Sequence, residues 1–244
     1  MDILLGPSKK AQVVAVNSLF GDFFYPVLFD LDFKVTEEVW KNEIIALESI
    51  QIRILISLCD QATDNQGLYS KMGVSITNVE VINPFDPSRV VLCSHDIVHI
   101  IKLVWVFLLD NKTAKFSDGS QFSIEDFKEL MYTTGNLCKL KDIHFKAKSS
   151  DRQTTSLATQ MISENNANLF MDFFPNDIKK VAASKFCRAM KRGFKVLTST
   201  QSNIESNNFL YAPFGKFNDL QTQALMDMNY YFKNIENTGR CVLD

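Results

Sequence analysis

An aspartate placed directly after a nearly continuous apolar run is the first residue in this chain with chemistry to offer. Residues 52–59 (IRILISLC) read as a buried strand, and Asp60 follows it. A carboxylate there can hold a divalent cation, or it can cap a following helix. Two-metal phosphoryl chemistry would need several such acids, because the cations clamp both the attacking and the leaving oxygen. A second group is Asp96, His99 and Lys102, whose spacing of three brings them near one face of a helix. That group could bind a metal or shuttle a proton; an Asp stabilised by the helix dipole is the simpler account. Basic residues cluster at 139–148 and again at 185–195, the latter with Phe186 and Phe194 interleaved. At helical spacing these are ordinary amphipathic faces or a local DNA-binding face.

The elements that must position these groups change character along the chain. Residues 12–20 and 23–31 are two apolar strands with Gly21 and Asp22 between them, which predicts an antiparallel hairpin. Thr36 is an N-cap candidate for a helix carrying Trp40, Ile44, Leu47 and Glu48. Strand, helix and strand in this order imply a right-handed crossover and a mixed sheet. A loop and short helix follow over 60–73, then NPFDPS at 83–88, a short strand VVLCS and a buried apolar helix over 96–110. Beyond Asn111 the strand signals vanish and amphipathic helix patterns take over. An exposed Ser/Thr/Asn-rich loop over 198–208 precedes a last helix near 220–235. The fold class expected is α/β followed by all-α.

With 244 residues, 46% of them hydrophobic, the chain can bury one large core or two modest ones. Its 26 basic and 28 acidic residues give a net charge of −2, so any contact with nucleic acid must come from a local patch. Cys59, Cys93, Cys138, Cys187 and Cys241 form an odd set without CxxC spacing, which suits free intracellular thiols. No signal-peptide order is visible, and the apolar stretch 97–109 is too short and too interrupted, by His99 and Lys102, for a membrane span.

Several segments resemble the P element-type DNA transposase family and its THAP-related members, in the family's order. Cys59-Asp60-Gln61-Ala62-Thr63-Asp64-Asn65 is similar to its C/S-D-x-G-x-x-N, and Met72-Gly73-Val74 to a Leu-Gly-Val element. Asp96-Ile97-Val98-His99-Ile100-Ile101-Lys102 resembles its D-x-x-H-L-hydrophobic-K. Residues 157–163 (LATQMIS) match an L-A-T-Q segment, and Pro213-Phe214-Gly215-Lys216 a P-Y-G-K turn. The resemblance implies a partial RNase H-like mixed sheet over residues 1–112 and a mostly helical GTP-binding insertion over 113–244. It also implies Mg2+ and GTP as cofactors, transposon-end DNA as partner, self-association, and a nuclear location.

Transferred residue by residue, the resemblance makes Asp60 the second catalytic, metal-binding acid. The family's first acid lies upstream of the hairpin and its last Glu beyond the P-Y-G-K helix, so this chain is expected to be catalytically incomplete. Where the family carries an Arg-Asn pair, Trp105 and Val106 stand. Lys139 falls on a lysine that meets the triphosphate, while a second such lysine falls on Thr154. The F-D-x-x-N guanine segment becomes Phe194, Lys195 and Thr198. Lysine offers only donors to a guanine edge that also donates, so guanine preference should be lost or greatly weakened. No GxxxxGK[ST] loop is present. Two readings result: a transposase fragment or eroded copy, and a non-enzymatic module binding DNA, nucleotide or protein. A fragment should show an unpaired sheet edge and exposed apolar surface; a module should have covered both.

Overall fold

The computed structural model describes residues 11–18, 23–75, 77–148, 150–199 and 208–236. The chain divides into two compact units between Asp96 and Ile97. In the first, β1 (Ala11–Asn17) and β2 (Phe24–Leu31) pair antiparallel from Ala11 opposite Leu31 to Asn17 opposite Phe24, with a bulge between Val14 and Ala15. This is the expected hairpin; its turn at Gly21 and Asp22 lies outside the described residues. Helix α1 (Glu37–Ser49) starts where the Thr36 hydroxyl accepts a bond from the Val39 N–H at 3.3 Å, and it buries Trp40, Ile44, Leu47 and Glu48 on one stripe.

Strand β3 (Ile56–Cys59), helix α2 (Thr63–Lys71), β4 (Glu80–Ile82) and β5 (Val90–His95) complete this unit. The sheet runs β3-β5-β4, with β3 parallel and β4 antiparallel to β5, the expected mixed sheet. The strand expected over 52–59 is corrected on two points: it is only four residues long, and it is not buried. Val91 and Cys93 pack with Trp40, Ile44, Leu68 and Tyr69 on one face. On the other face Leu58 is 66% exposed, so a continuous apolar run did not signal two-sided cover.

The NPFDPS link is fixed by a buried polar network. The Asn83 side chain accepts from the Phe85 and Asp86 N–H groups at 2.8 and 3.1 Å and donates to Glu48 at 2.7 Å. Arg89 binds Glu48 and, at 2.8 Å, Asp86. Burial works against the Glu48 charge, but the Arg89, Asn83 and Ile54 donors outweigh it and hold its carboxyl below the usual range.

The second unit opens with α3 (Ile97–Asn111), which buries Ile101, Val104, Trp105, Phe107, Leu108 and Leu109. Among the described residues no helix is long and apolar enough to cross a membrane. Next comes a hairpin, β6 (Thr113–Lys115) with β7 (Gln121–Ser123), which corrects the expectation that strands end at Asn111. Three-residue strands are too short to show a period of two. Helices α4 (Ile124–Thr134), α5 (Ile143–Lys146), α6 (Thr155–Met161), α7 (Glu164–Phe173), α8 (Ile178–Leu197) and α9 (Asn218–Asn234) follow. Asp126 starts α4 by accepting from the Ser123 N–H and hydroxyl, and Asp177 starts α8 by accepting from Lys179 and Lys180.

The core here is aromatic. Phe116 and Phe186 each meet the Tyr231 ring edge-on, at 5.1 and 5.3 Å, and Phe127 meets Phe170 likewise at 5.1 Å. Helices α8 and α9 approach so closely that a Cβ on Gly193 would stand 2.8 Å from the Cβ of Met228. Cys59, Cys93, Cys138 and Cys187 are free thiols, and Cys241 lies outside the described residues.

Candidate functional site

Strands β3 and β5 run parallel with Cys59 opposite His95, so Asp60 and Asp96 leave the sheet side by side at its carboxyl end. The Asp96 N–H donates to the Cys59 carbonyl at 2.8 Å, which ties the two exits together. Ligands of open α/β sheets gather at such an end, because the strands stop there and the loops diverge. Beneath it, Tyr69 donates its hydroxyl to the Ser57 carbonyl at 2.8 Å, and Trp40 donates to the Ser57 hydroxyl at 3.1 Å. Burial pushes the Tyr69 phenol far above its usual value, so it serves as a neutral donor.

Asp60 spends one carboxylate oxygen locally. Its Oδ1 accepts from the Ala62 N–H at 3.0 Å and from the Asn65 amide at 2.7 Å. Ala62, at the N-cap of α2, makes no side-chain bond, so Asp60 supplies the polar partner for that turn. A hard divalent cation takes six or more oxygen ligands and favours several carboxylates. Among the described residues no three His, Cys, Asp or Glu side chains converge to hold a metal ion. The residues present therefore do not fit a two-cation centre, and no chemical step is derived through one.

The Cys59 sulfur lies 3.8 Å from His95 Nδ1, a pair the sequence did not single out. Burial raises the Cys59 thiol, and Asp60 adds to this while a hydrogen bond with Tyr69 opposes it. Cys93, deeper in the same layer, is pushed up to about 11 by burial. Thiols held protonated are poor nucleophiles and poor metal ligands.

In the second unit Phe194, Lys195 and Thr198 gather at the end of α8. The Thr198 hydroxyl donates to the Phe194 carbonyl at 2.8 Å, closing the helix. Phe194 packs against the core, with the Lys191 ammonium 5.5 Å from its ring centre. Lys195 is half-buried and partnered within the protein: it donates to Glu164 at 3.3 Å and sits 4.9 Å over the Tyr211 ring. Burial disfavours its charge, but the bonds to Tyr211 and Glu164 win and raise its pKa. Lys139 is exposed between buried Cys138 and Leu140, and no described bond links it to Phe194, Lys195 or Thr198.

Two of the resembling segments are joints of the second unit. In 157–163, Ala158, Met161 and Ile162 are fully buried, Gln160 accepts from His144 Nε2 at 3.0 Å, and Ser163 caps α7 by accepting from Asn166 at 3.2 Å. His144 Nδ1 accepts from the Lys141 N–H at 3.0 Å, which leaves the proton on Nε2; burial lowers its pKa. The Pro213–Lys216 turn has Gly215 at φ +102°, a conformation that favours glycine. Fully buried Gln221 pins it, donating to the Ala212 and Phe209 carbonyls at 2.9 and 3.0 Å and accepting from the Gly215 N–H at 2.8 Å.

No protein-family model matches the chain. It is 24% identical over 239 residues to the transposable element P transposase of Drosophila melanogaster, covering 93% of this chain and 31% of that protein. It superposes with a TM-score of 0.86 on a chain of the Drosophila P element transposase strand transfer complex, at 22% identity, covering 96% of this chain and 54% of that one. A mixed sheet leading into a helical unit is the fold this chain shares with that transposase chain. Its homology is to the P element transposase, of which it spans about a third.

Proposed function

We propose that the chain is a DNA-engaging part of P element transposase-like machinery, working on DNA in the nucleus, whose strand-end carboxylates need further acids before they can cut. The observation that carries this reading is Asp60. It stands at the carboxyl end of a parallel strand, beside Asp96, on a scaffold shared with a transposase, yet its carboxylate serves a local turn and meets no cation-binding cluster among the described residues.

The open sheet supports the incomplete-core form of the reading over a self-contained module. Among the described residues β1 pairs only with β2, and β3 only with β5. Both face a cavity of about 610 Å3 whose lining includes Val14, Val16, Trp40, Ile44, Leu47 and Leu58. A self-contained module would have covered such edges. In the nucleotide half, Lys195 already has Glu164 and Tyr211 as partners, so the proposal includes loss of guanine selectivity. Self-association of transposase-like chains belongs to the same reading. The test is binding of the purified chain to duplex DNA by fluorescence anisotropy across a salt series. The expected result is affinity that falls steeply with salt; absence of binding at about 50 mM salt would sink the reading.

A further inference from the structure

The cations of α8 are arranged on one face. Lys185, Arg188, Arg192 and Lys195 recur at +3, +4 and +3, opposite the buried Ala183, Phe186, Cys187 and Met190. Lys195 is committed to Glu164, but the other three are differently placed. Lys185, Arg188 and Arg192 line a groove of about 290 Å3 between α8 and α9, with Asp227, Tyr230 and Tyr231 on its far wall.

The polar groups of this groove leave donors in excess. Asp227 accepts from Gln223 at 2.7 Å, and Tyr230 spends its proton on Asp118 at 2.8 Å. Arg188 gives one nitrogen to Asn168 at 2.9 Å, and the Arg192 guanidinium lies 5.8 Å from the centre of the Phe209 ring. The Nε of Arg192 is buried and has no hydrogen-bond partner among the described residues. Guanidinium groups match phosphate oxygens in charge and fork geometry. Residues 185 and 192 stand roughly 10 Å apart along the helix. That exceeds the span of one small anion and suits successive phosphates of a strand.

We infer that the α8–α9 groove is a contact surface for the phosphodiester backbone of duplex DNA, with Lys185, Arg188 and Arg192 as its cations. This rests on the reading that the chain engages DNA and adds where it does so. Three phosphate contacts correspond to a log–log salt slope of about −3 from this surface. Anisotropy titrations of the full chain with a labelled duplex test it. Arg188→Gln and Arg192→Gln should each weaken binding about tenfold and flatten the slope by about 1, while Arg192→Lys keeps the slope and Lys71→Gln, in the other unit, changes neither.

Unchanged affinity and slope in both glutamine variants, with parental melting curves, would overturn the inference and leave DNA engagement standing. A parent that binds no duplex would instead remove the reading on which it rests. Displacement of the duplex by stoichiometric inorganic phosphate or GTP would show a small-anion pocket and also overturn it. Much tighter binding of a protein polyanion or RNA than of duplex DNA would do the same.

Discussion

Gln221 offers the sharpest test of how the second unit is held. Its side chain is fully buried and bonds to three segments of the 209–217 turn at once: the Phe209, Ala212 and Pro213 carbonyls accept from its amide, and Gly215 donates to its oxygen. Truncation in Gln221→Ala strands at least two carbonyls and one N–H. An unsatisfied buried polar group costs about 1–3 kcal/mol, and water entering the vacated space recovers part of it, so a loss of about 2–4 kcal/mol is expected. The chain has two tryptophans, Trp40 in the first unit and Trp105 in the core of the second. In a Trp40→Phe background, urea unfolding followed by fluorescence therefore reports on the second unit alone. A loss below about 0.5 kcal/mol, within the range of ordinary surface substitutions, would refute the pinning role.

Other expectations follow from the same packing. Gly193→Ala puts a Cβ against Met228 and should destabilise the second unit by about 1–3 kcal/mol, read in the same unfolding assay; a neutral result would mean that α8 and α9 separate freely. His144 is held neutral with its pKa below the ordinary 6.5, so the unfolded chain takes up its proton first. Stability from this group is full above pH 6.5 and is lost as pH falls through the folded pKa, by at most about 1.4 kcal/mol per pH unit. The difference in unfolding free energy between parent and His144→Gln at pH 7 and pH 5 measures it; a difference that does not narrow on acidification contradicts it. For Lys195, isothermal calorimetry should find no preference for GTP over ATP, and magnesium-dependent GTP binding much tighter than ATP binding would disprove the loss of guanine selectivity.

The elements with long periodic patterns were legible in the sequence. Trp40, Ile44, Leu47 and Glu48 announced α1, the apolar run over 97–109, interrupted by His99 and Lys102, announced α3, and the amphipathic patterns beyond Asn111 announced α8. What escaped was short or cooperative. Strands β4, β6 and β7 have three residues each, too few to carry a period. The partners of Lys195 are at Glu164 and Tyr211, and nothing local pairs those positions with it. Gln221 looks like one more polar residue on a polar helix until the turn it holds is seen. The α8 stripe was visible as a cluster of charges, but its groove depends on Tyr230 and Tyr231 from α9. Asp60 was found by its position after an apolar run; its bond to Asn65, five residues on, needed the folded turn.

The central claim joins two properties, engagement of DNA and dependence on further acids for chemistry, and one gel reads both. The purified chain is incubated with supercoiled plasmid in Mg2+ or Mn2+, half of each sample is run native and half after deproteinisation. The account predicts retarded plasmid in the native lanes and intact supercoils in the deproteinised ones. Nicked or joined products that disappear with Asp60→Ala would contradict it, because the described carboxylates would then be cutting DNA unaided.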